Sequence, residues 1–279
     1  MDESRVEWPV MLWHYTNLES LALILTNRTL RLMPLTGMDD PLESQTRDVA
    51  NLGRFFFASC WTDDSQESIP MWKMYASLDS GIRIGLPPMP FAKHNYTKNE
   101  FSRITGIPID HISAADTMSS FMPLEDFAKG LLSPAFLEGN GVLQKVHYTD
   151  AADDLVPRVL STDGNSAKVA TSKMGTYKSS YWSFQREWRY VMSILPYKVL
   201  GDLSQSVDRW NEMFIKMING ELMPPCNYYD LQLDPEAVKG MVVTPSPRMS
   251  AGNMVLLNTL LESQGLAGNL KQSELDGML

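Results

Sequence analysis

Cysteine is scarce: two residues in 279, Cys60 and Cys226, in unrelated contexts. Neither a disulfide framework nor a zinc-type spacing arises from them, so a reducing compartment, the cytoplasm, is expected. No run of about 18 apolar residues occurs, so no membrane span is expected. The first ten residues, "MDESRVEWPV", are acidic and hold no hydrophobic signal core. Basic residues are outnumbered, 24 Lys and Arg against 33 Asp and Glu, for a net charge of −9. That balance argues against a broad non-specific nucleic-acid surface, while leaving room for a local basic cleft. P-loop, GxGxxG, HExxH and EF-hand patterns are missing, and no metal is expected.

What is present is core-forming material. Apolar residues make up 44% and charged residues 20%, the balance of a packed globular chain. The expected organisation is a single α+β domain over residues 1–279, with a less regular insertion at about 90–140. "MLWHY" (11–15) reads as a strand, and Thr16 with Glu19 reads as a capping box for a helix from about Leu18. Leu18, Leu21, Ala22 and Leu25 give that helix its apolar face. "TLRLMPL" alternates as a strand, Asp40-Pro41 signals a turn, and "GRFFFASCWT" is the clearest strand of the chain. Asp64 with Glu67, followed by Pro70, predicts a second helix start. Ile69, Trp72 and Ala76 form its apolar spacing. Strands are expected at "SGIRIGLP", "VLQKVHYTD", "FQREWRYVMSIL", "YYDLQL" and "GMVVTP", and helices around "VDRWNEMFIKM" and "NMVLLNTLLES". "STDGNSA" reads as a flexible segment.

The stretch "FQREWRYV" draws attention by parity. Alternation along a strand puts Phe184, Arg186, Trp188 and Tyr190 on one face and Gln185, Glu187 and Arg189 on the other. Two readings follow. The plain one is a solvent-facing charged surface with an ion pair. The sharper one is a cleft wall with Glu187 as the working carboxylate and Gln185 positioning a second reactant. His14 and Tyr15 sit where the first strand turns into a helix. Each has a structural reading, a hydrogen-bonded histidine and a core aromatic. Trp72 and Tyr75, three apart, are most simply helix core. Cys60 on an apolar strand reads as inert packing, with no His placed in sequence to activate it.

The pieces "LWHYTNLESLALILTNRTLRL", "MDDPLES", "FFASCWTDDSQESIPMWKMYASLDSGIRIGLP", "VHYTD", "YKSSYWSFQREWRYV" and "MVVTPSPRMS" together resemble the DUF2971 family of bacterial proteins, in order and over nearly the whole chain. Trp72, Tyr75, Lys178, Trp182, Glu187 and Arg189 match that family's Trp-x-x-Tyr and Lys…Trp…Glu-x-Arg positions. The order of motifs also resembles, more distantly, the ADP-ribosyltransferase superfamily. His14 matches its first motif, Ser59 or Tyr75 its second, and Gln185-Arg186-Glu187 its third. This second resemblance implies a mixed, mainly antiparallel split sheet with helical insertions, and NAD as substrate.

In that chemistry, breaking the nicotinamide–ribose bond builds positive charge on the sugar. A carboxylate aimed at the ribose stabilises that charge most at the transition state, the role implied for Glu187. His14 would hold the adenosine-side ribose or the dinucleotide. Tyr15, Trp72 or Tyr75 would stack on nicotinamide. Gln185 would orient the acceptor, and Ser59, Lys178 and Arg189 join the ligand-binding set. The expected function is an ADP-ribosyltransferase-like enzyme, a toxin or anti-phage effector. The alternative is a non-catalytic nucleotide- or protein-binding module acting as a sensor in a bacterial defence system. NAD or a related nucleotide is the expected partner. A macromolecular acceptor or partner protein stays open, as does the oligomeric state.

Overall fold

The computed structural model describes residues 8–112, 115–132, 142–163, 166–196 and 207–278. Its frame is an eight-stranded sheet in an α+β arrangement: β1 (Leu12–Asn17), β2 (Thr29–Pro34), β3 (Phe56–Thr62), β4 (Gly81–Leu86), β5 (Leu143–Lys145), β6 (Glu187–Ser193), β7 (Tyr229–Gln232) and β8 (Val242–Pro245). Every pairing in this sheet is antiparallel. A parallel pair occurs outside it, between His147–Thr149 and Tyr177–Ser179. The expected strand "VLQKVHYTD" is therefore two short strands in two different sheets.

One feature of the register positions the site. On one edge β3 pairs along its whole length with β6, from Glu187 opposite Thr62 to Ser193 opposite Phe56. On the other edge it is shared. β2 meets its beginning, Met33 opposite Ala58 and Pro34 opposite Phe57. β1 meets its end, Trp13 opposite Thr62. Between these contacts β1 and β2 part, and residues 59–61 have no strand partner on that edge among the described residues. β1 continues outward to β4 and β8, and β2 to β7.

Helix α1 (Leu18–Asn27) spans the two parted strands. Its N-cap is Asn17, whose side-chain oxygen accepts from the Ser20 N–H at 2.8 Å. Thr16, the expected cap, is instead held in the ladder opposite Ile82. Leu21, Ile24 and Leu25 are buried, so Ile24 takes the place expected of Ala22. The helix stops where Arg28 adopts the left-handed conformation. Replacing Asn17 with Ala should cost about 1 kcal/mol, the usual worth of a capping side chain, read from the urea midpoint at unchanged slope.

Helix α2 (Ile69–Tyr75) is capped by Ser68, not by Asp64, and carries Pro70 in its first turn. Asp64 instead accepts from Gln66 within its own turn. Trp72 is buried, Ile69 is exposed at 39%, and the chain leaves helical geometry at Ala76. Trp72 packs edge-on against Tyr15 with ring centroids 5.0 Å apart and donates its indole N–H to Glu67 at 2.9 Å. The late helix α3 (Ala251–Ser263) buries Leu257 and Leu261.

The insertion at 90–140 is more regular than its sequence suggests. His94–Thr97 pairs with Thr117–Ser120, and the helix Lys98–Thr105 opens with a complete Thr97–Glu100 capping box. Phe101 and Phe127 meet there edge-on at 5.0 Å. The helix expected at "VDRWNEMFIKM" runs from Val207 to Ile218. Part of "STDGNSA" lies outside the described residues.

Candidate functional site

The gap between β1 and β2 opens into a cavity of about 380 Å³, within the size range of small-molecule pockets. His14, Ser59, Cys60, Tyr75, Lys178, Gln185 and Glu187 all line it, with Leu23 and Ile24 of α1 and Asp39 from the following loop. Tyr15 also contributes to the wall. Trp72 and Arg189 do not. Trp72 is sealed beneath Tyr15, and Arg189 is fully buried beneath Glu187. Neither can stack on or touch a ligand in this cavity as the sequence implied.

His14 reaches the cavity because of the gap. Its Nδ1 lies 2.7 Å from the carbonyl oxygen of Cys60, on the stretch of β3 that has no strand partner there. A carbonyl can only accept, so Nδ1 carries the proton and Nε2 is left as an acceptor. Burial lowers the His14 pKa and the Cys60 carbonyl only partly offsets this, so the ring is neutral at pH 7. The register puts Glu187, Thr62 and Trp13 on one face of the sheet. His14, next to Trp13, belongs to the other face, with its ring 5.1 Å from that of Trp61. The two residues meet one cavity only because the sheet is parted between them.

Glu187 begins β6, and the strand is buried on both faces from Glu187 to Met192. The solvent-facing reading of this strand is thus overturned: Glu187 is 4% exposed and Arg189 0%. Arg189 grips the carboxylate with two nitrogens, Nε to Oε1 at 2.7 Å and Nη2 to Oε2 at 3.0 Å. Lys178 Nζ lies 3.1 Å from Glu187 Oε2 and 3.1 Å from Glu43 Oε1. Arg189 also pairs with Glu43 and donates to the Gly175 carbonyl at 3.1 Å. Four buried charges, two of each sign, close into one neutral cluster. Burial alone would push the Glu187 carboxyl up, but Arg189 and then Lys178 outweigh it, and its pKa falls below the ordinary value. Arg189 and Lys178 are held on the protonated side by the same carboxylates despite their burial.

Glu43 was not legible as a site residue. It sits in a short 3₁₀ turn, Pro41–Ser44, which Asp40 caps by accepting from the Leu42 N–H at 3.0 Å. Asp40-Pro41 marked the turn in the sequence, but no local pattern says that the next carboxylate points inward. Tyr148 was missed as well. Its hydroxyl oxygen accepts from the Glu187 backbone N–H at 2.8 Å.

The long strand expected from Phe184 breaks at Arg186. Residues Ser180–Gln185 form a 3₁₀ turn, and Arg186 has φ 46°, a conformation few non-glycine residues adopt. It is held there by its N–H to Ser183 and by side-chain pairs to Asp63 (3.1 Å) and Asp64 (3.4 Å). Alternation does not pass through such a kink. Phe184, which alternation places on one face with Trp188, is 41% exposed, while Trp188 is buried. Gln185 still reaches the cavity, from the turn instead of the strand, and its Nε2 hydrogen-bonds the Tyr75 hydroxyl.

Burial, and next the Glu187 charge, push the Cys60 thiol well above its ordinary pKa. Cys60 is therefore a protonated thiol and no nucleophile. Among the described residues, no group of three or more His, Cys, Asp or Glu is placed to hold a metal ion, and no helix is long and apolar enough to cross a membrane.

The fold and site define an α+β protein with a ligand-sized cavity where two strands of an antiparallel sheet part. No protein-family model, no curated protein and no solved structure matches the chain.

Proposed function

We propose that this protein is an ADP-ribosyltransferase-like enzyme that takes the nicotinamide–ribose end of NAD into the cavity between β1 and β2 and transfers ADP-ribose to an acceptor. One observation supports this most: His14, Tyr75, Gln185 and Glu187, drawn from three distant parts of the chain, line one cavity at the parting of the sheet. Glu187 is the carboxylate that faces the developing positive charge on the ribose. Neutral His14 offers Nε2 to a ribose hydroxyl. Tyr75 and Tyr15 supply aromatic surface beside the flat nicotinamide. In a bacterial cell such an activity suits a toxin or an anti-phage effector.

A second reading has its own support. Both oxygens of Glu187 are already engaged by Arg189 and Lys178. A carboxylate so neutralised has less charge to offer a transition state. This favours a nucleotide-binding module that senses without turnover. Calorimetry with NAD, run beside an assay for released nicotinamide, separates the two. The enzyme reading expects binding and slow nicotinamide release, with His14→Ala weakening binding. Binding without release selects the sensor. No heat at millimolar NAD with folded protein removes both.

A further inference from the structure

Tyr75 meets the Gln185 amide at its nitrogen end, the Gln185 NH₂ lying against the Tyr75 hydroxyl. Burial, and next the neighbouring Asp39 side chain, push the Tyr75 pKa up, so the hydroxyl keeps its proton. The other end of the amide, Gln185 Oε1, is left as a buried acceptor with no hydrogen-bond partner among the described residues, on a side chain 97% buried that lines the cavity. A buried acceptor without a donor is costly, and a ligand that supplies one gains what the empty protein lacks.

The charges of the wall point the same way. Its two cations are already taken. Arg31 is held by both oxygens of Asp230 at 2.8 and 2.9 Å, and Lys178 lies between Glu43 and Glu187. His14 is neutral and presents an acceptor. Among the described residues, the wall therefore offers no spare cation to an anionic group.

We infer that Gln185 is a specificity-determining residue whose Oε1 accepts a hydrogen bond from an amide N–H of the ligand, so that the cavity takes a carboxamide-bearing ring and rejects its carboxylate counterpart. Resting on the NAD reading above, this names the discriminating pair: nicotinamide against nicotinic acid. The two rings share shape and differ by NH₂ against O⁻. The carboxamide meets Oε1 with a donor. The carboxylate meets it with a lone pair and a negative charge beside Asp39 and Glu187. A polar site that loses its hydrogen bond discriminates far more sharply than an apolar pocket does.

The test measures binding of NAD and of nicotinic acid adenine dinucleotide to the purified protein by calorimetry. NAD is expected to bind at least tenfold more tightly. Gln185→Leu should bring the two dissociation constants within about threefold, mainly by weakening NAD. Tyr75→Phe provides the second variant. It leaves Gln185 in place but removes the hydroxyl that sets its orientation, so the preference should shrink while both ligands still bind, an effect that loss of packing alone would not produce. Equal affinities in the unaltered protein would overturn the specificity role and leave the NAD reading intact. A preference that survives both variants unchanged would overturn it too. No binding of either dinucleotide at millimolar concentration, with the protein folded, would overturn both the role and the reading beneath it.

Discussion

Arg189→Met should destabilise the protein by about 3–5 kcal/mol, the range seen when one partner of a buried ion cluster is removed. The long apolar stem is retained, so little packing is lost. What changes is charge. Arg189 is fully buried and pairs with both Glu187 and Glu43. Without it, Lys178 alone faces two carboxylates, and one negative charge stays in a region with little water to solvate it. The loss should be far smaller in the double variant Glu187→Leu with Arg189→Met, because Lys178 and Glu43 then remain as a neutral pair. A double-mutant cycle in urea reads this coupling directly. A cost below about 1 kcal/mol for the single variant would mean that water reaches the cluster, and the buried-network account would fail.

The same cluster fixes how stability depends on pH. The Glu187 pKa is depressed in the fold, so its contribution is fully present above the unfolded carboxyl value of about 4.3. It is lost as pH falls through the folded value. Lys178 and Arg189 are raised, so their contributions hold below their ordinary values and would be lost only as pH rises through the folded ones. Across neutral pH the cluster is fully charged. In Arg189→Met the depression of Glu187 is relieved, so the variant should show a shallower acid limb than the unaltered protein. The gap between the two should narrow as pH drops below 4.

Elements whose identity is set by local pattern were open to reading. The runs that became β1 to β4, β7 and β8 alternate or cluster apolar residues between turn signals, and they fold as such. Capping rules narrowed the helix starts but chose the wrong residue twice. Thr16-x-x-Glu19 and Asp64-x-x-Glu67 fit the pattern, yet Asn17 and Ser68 cap. A cap must sit directly at the first turn, and Thr16 was already committed to the ladder by pairing with β4, a contact no local window contains. Glu187 shows the same limit more strongly. Its neighbours in sequence suggested an exposed ion pair, but its burial depends on Lys178 from another strand and on Glu43 from a turn far upstream. The kink at Arg186 rests on Asp63 and Asp64, also distant in sequence. Nor could parity along any one strand reveal that His14 and Glu187 lie on opposite faces. That follows from register across β1, β3 and β6, and their shared cavity follows from the parting of β1 and β2.

If the protein turns NAD over as proposed, Glu187→Gln should lower the rate of nicotinamide release by a factor on the order of 10²–10³, the loss typical when one electrostatic stabiliser is taken from a reacting centre. Gln keeps the shape of the side chain, and its single oxygen, placed where Oε2 stands, can still accept from Arg189 Nη2 and Lys178, while its NH₂ meets the Arg189 Nε–H donor to donor. The substitution removes the full negative charge that, in the proposed reaction, opposes the positive charge growing on the ribose. That charge exists only as the glycosidic bond breaks, so NAD affinity should change by less than about threefold while the turnover number falls. The cluster would carry one excess positive charge in this variant, so rates must be compared at a temperature where far-ultraviolet circular dichroism shows it folded. The pairing of Glu187 in the empty protein makes the experiment decisive between the two readings. If the carboxylate is a structural counter-ion only, Glu187→Gln lowers the melting temperature and leaves any nicotinamide release per folded molecule unchanged. If it stabilises the transition state, release per folded molecule collapses in addition to the loss of melting temperature, because catalysis senses the charge at the ribose while stability senses the charge at Arg189 and Lys178.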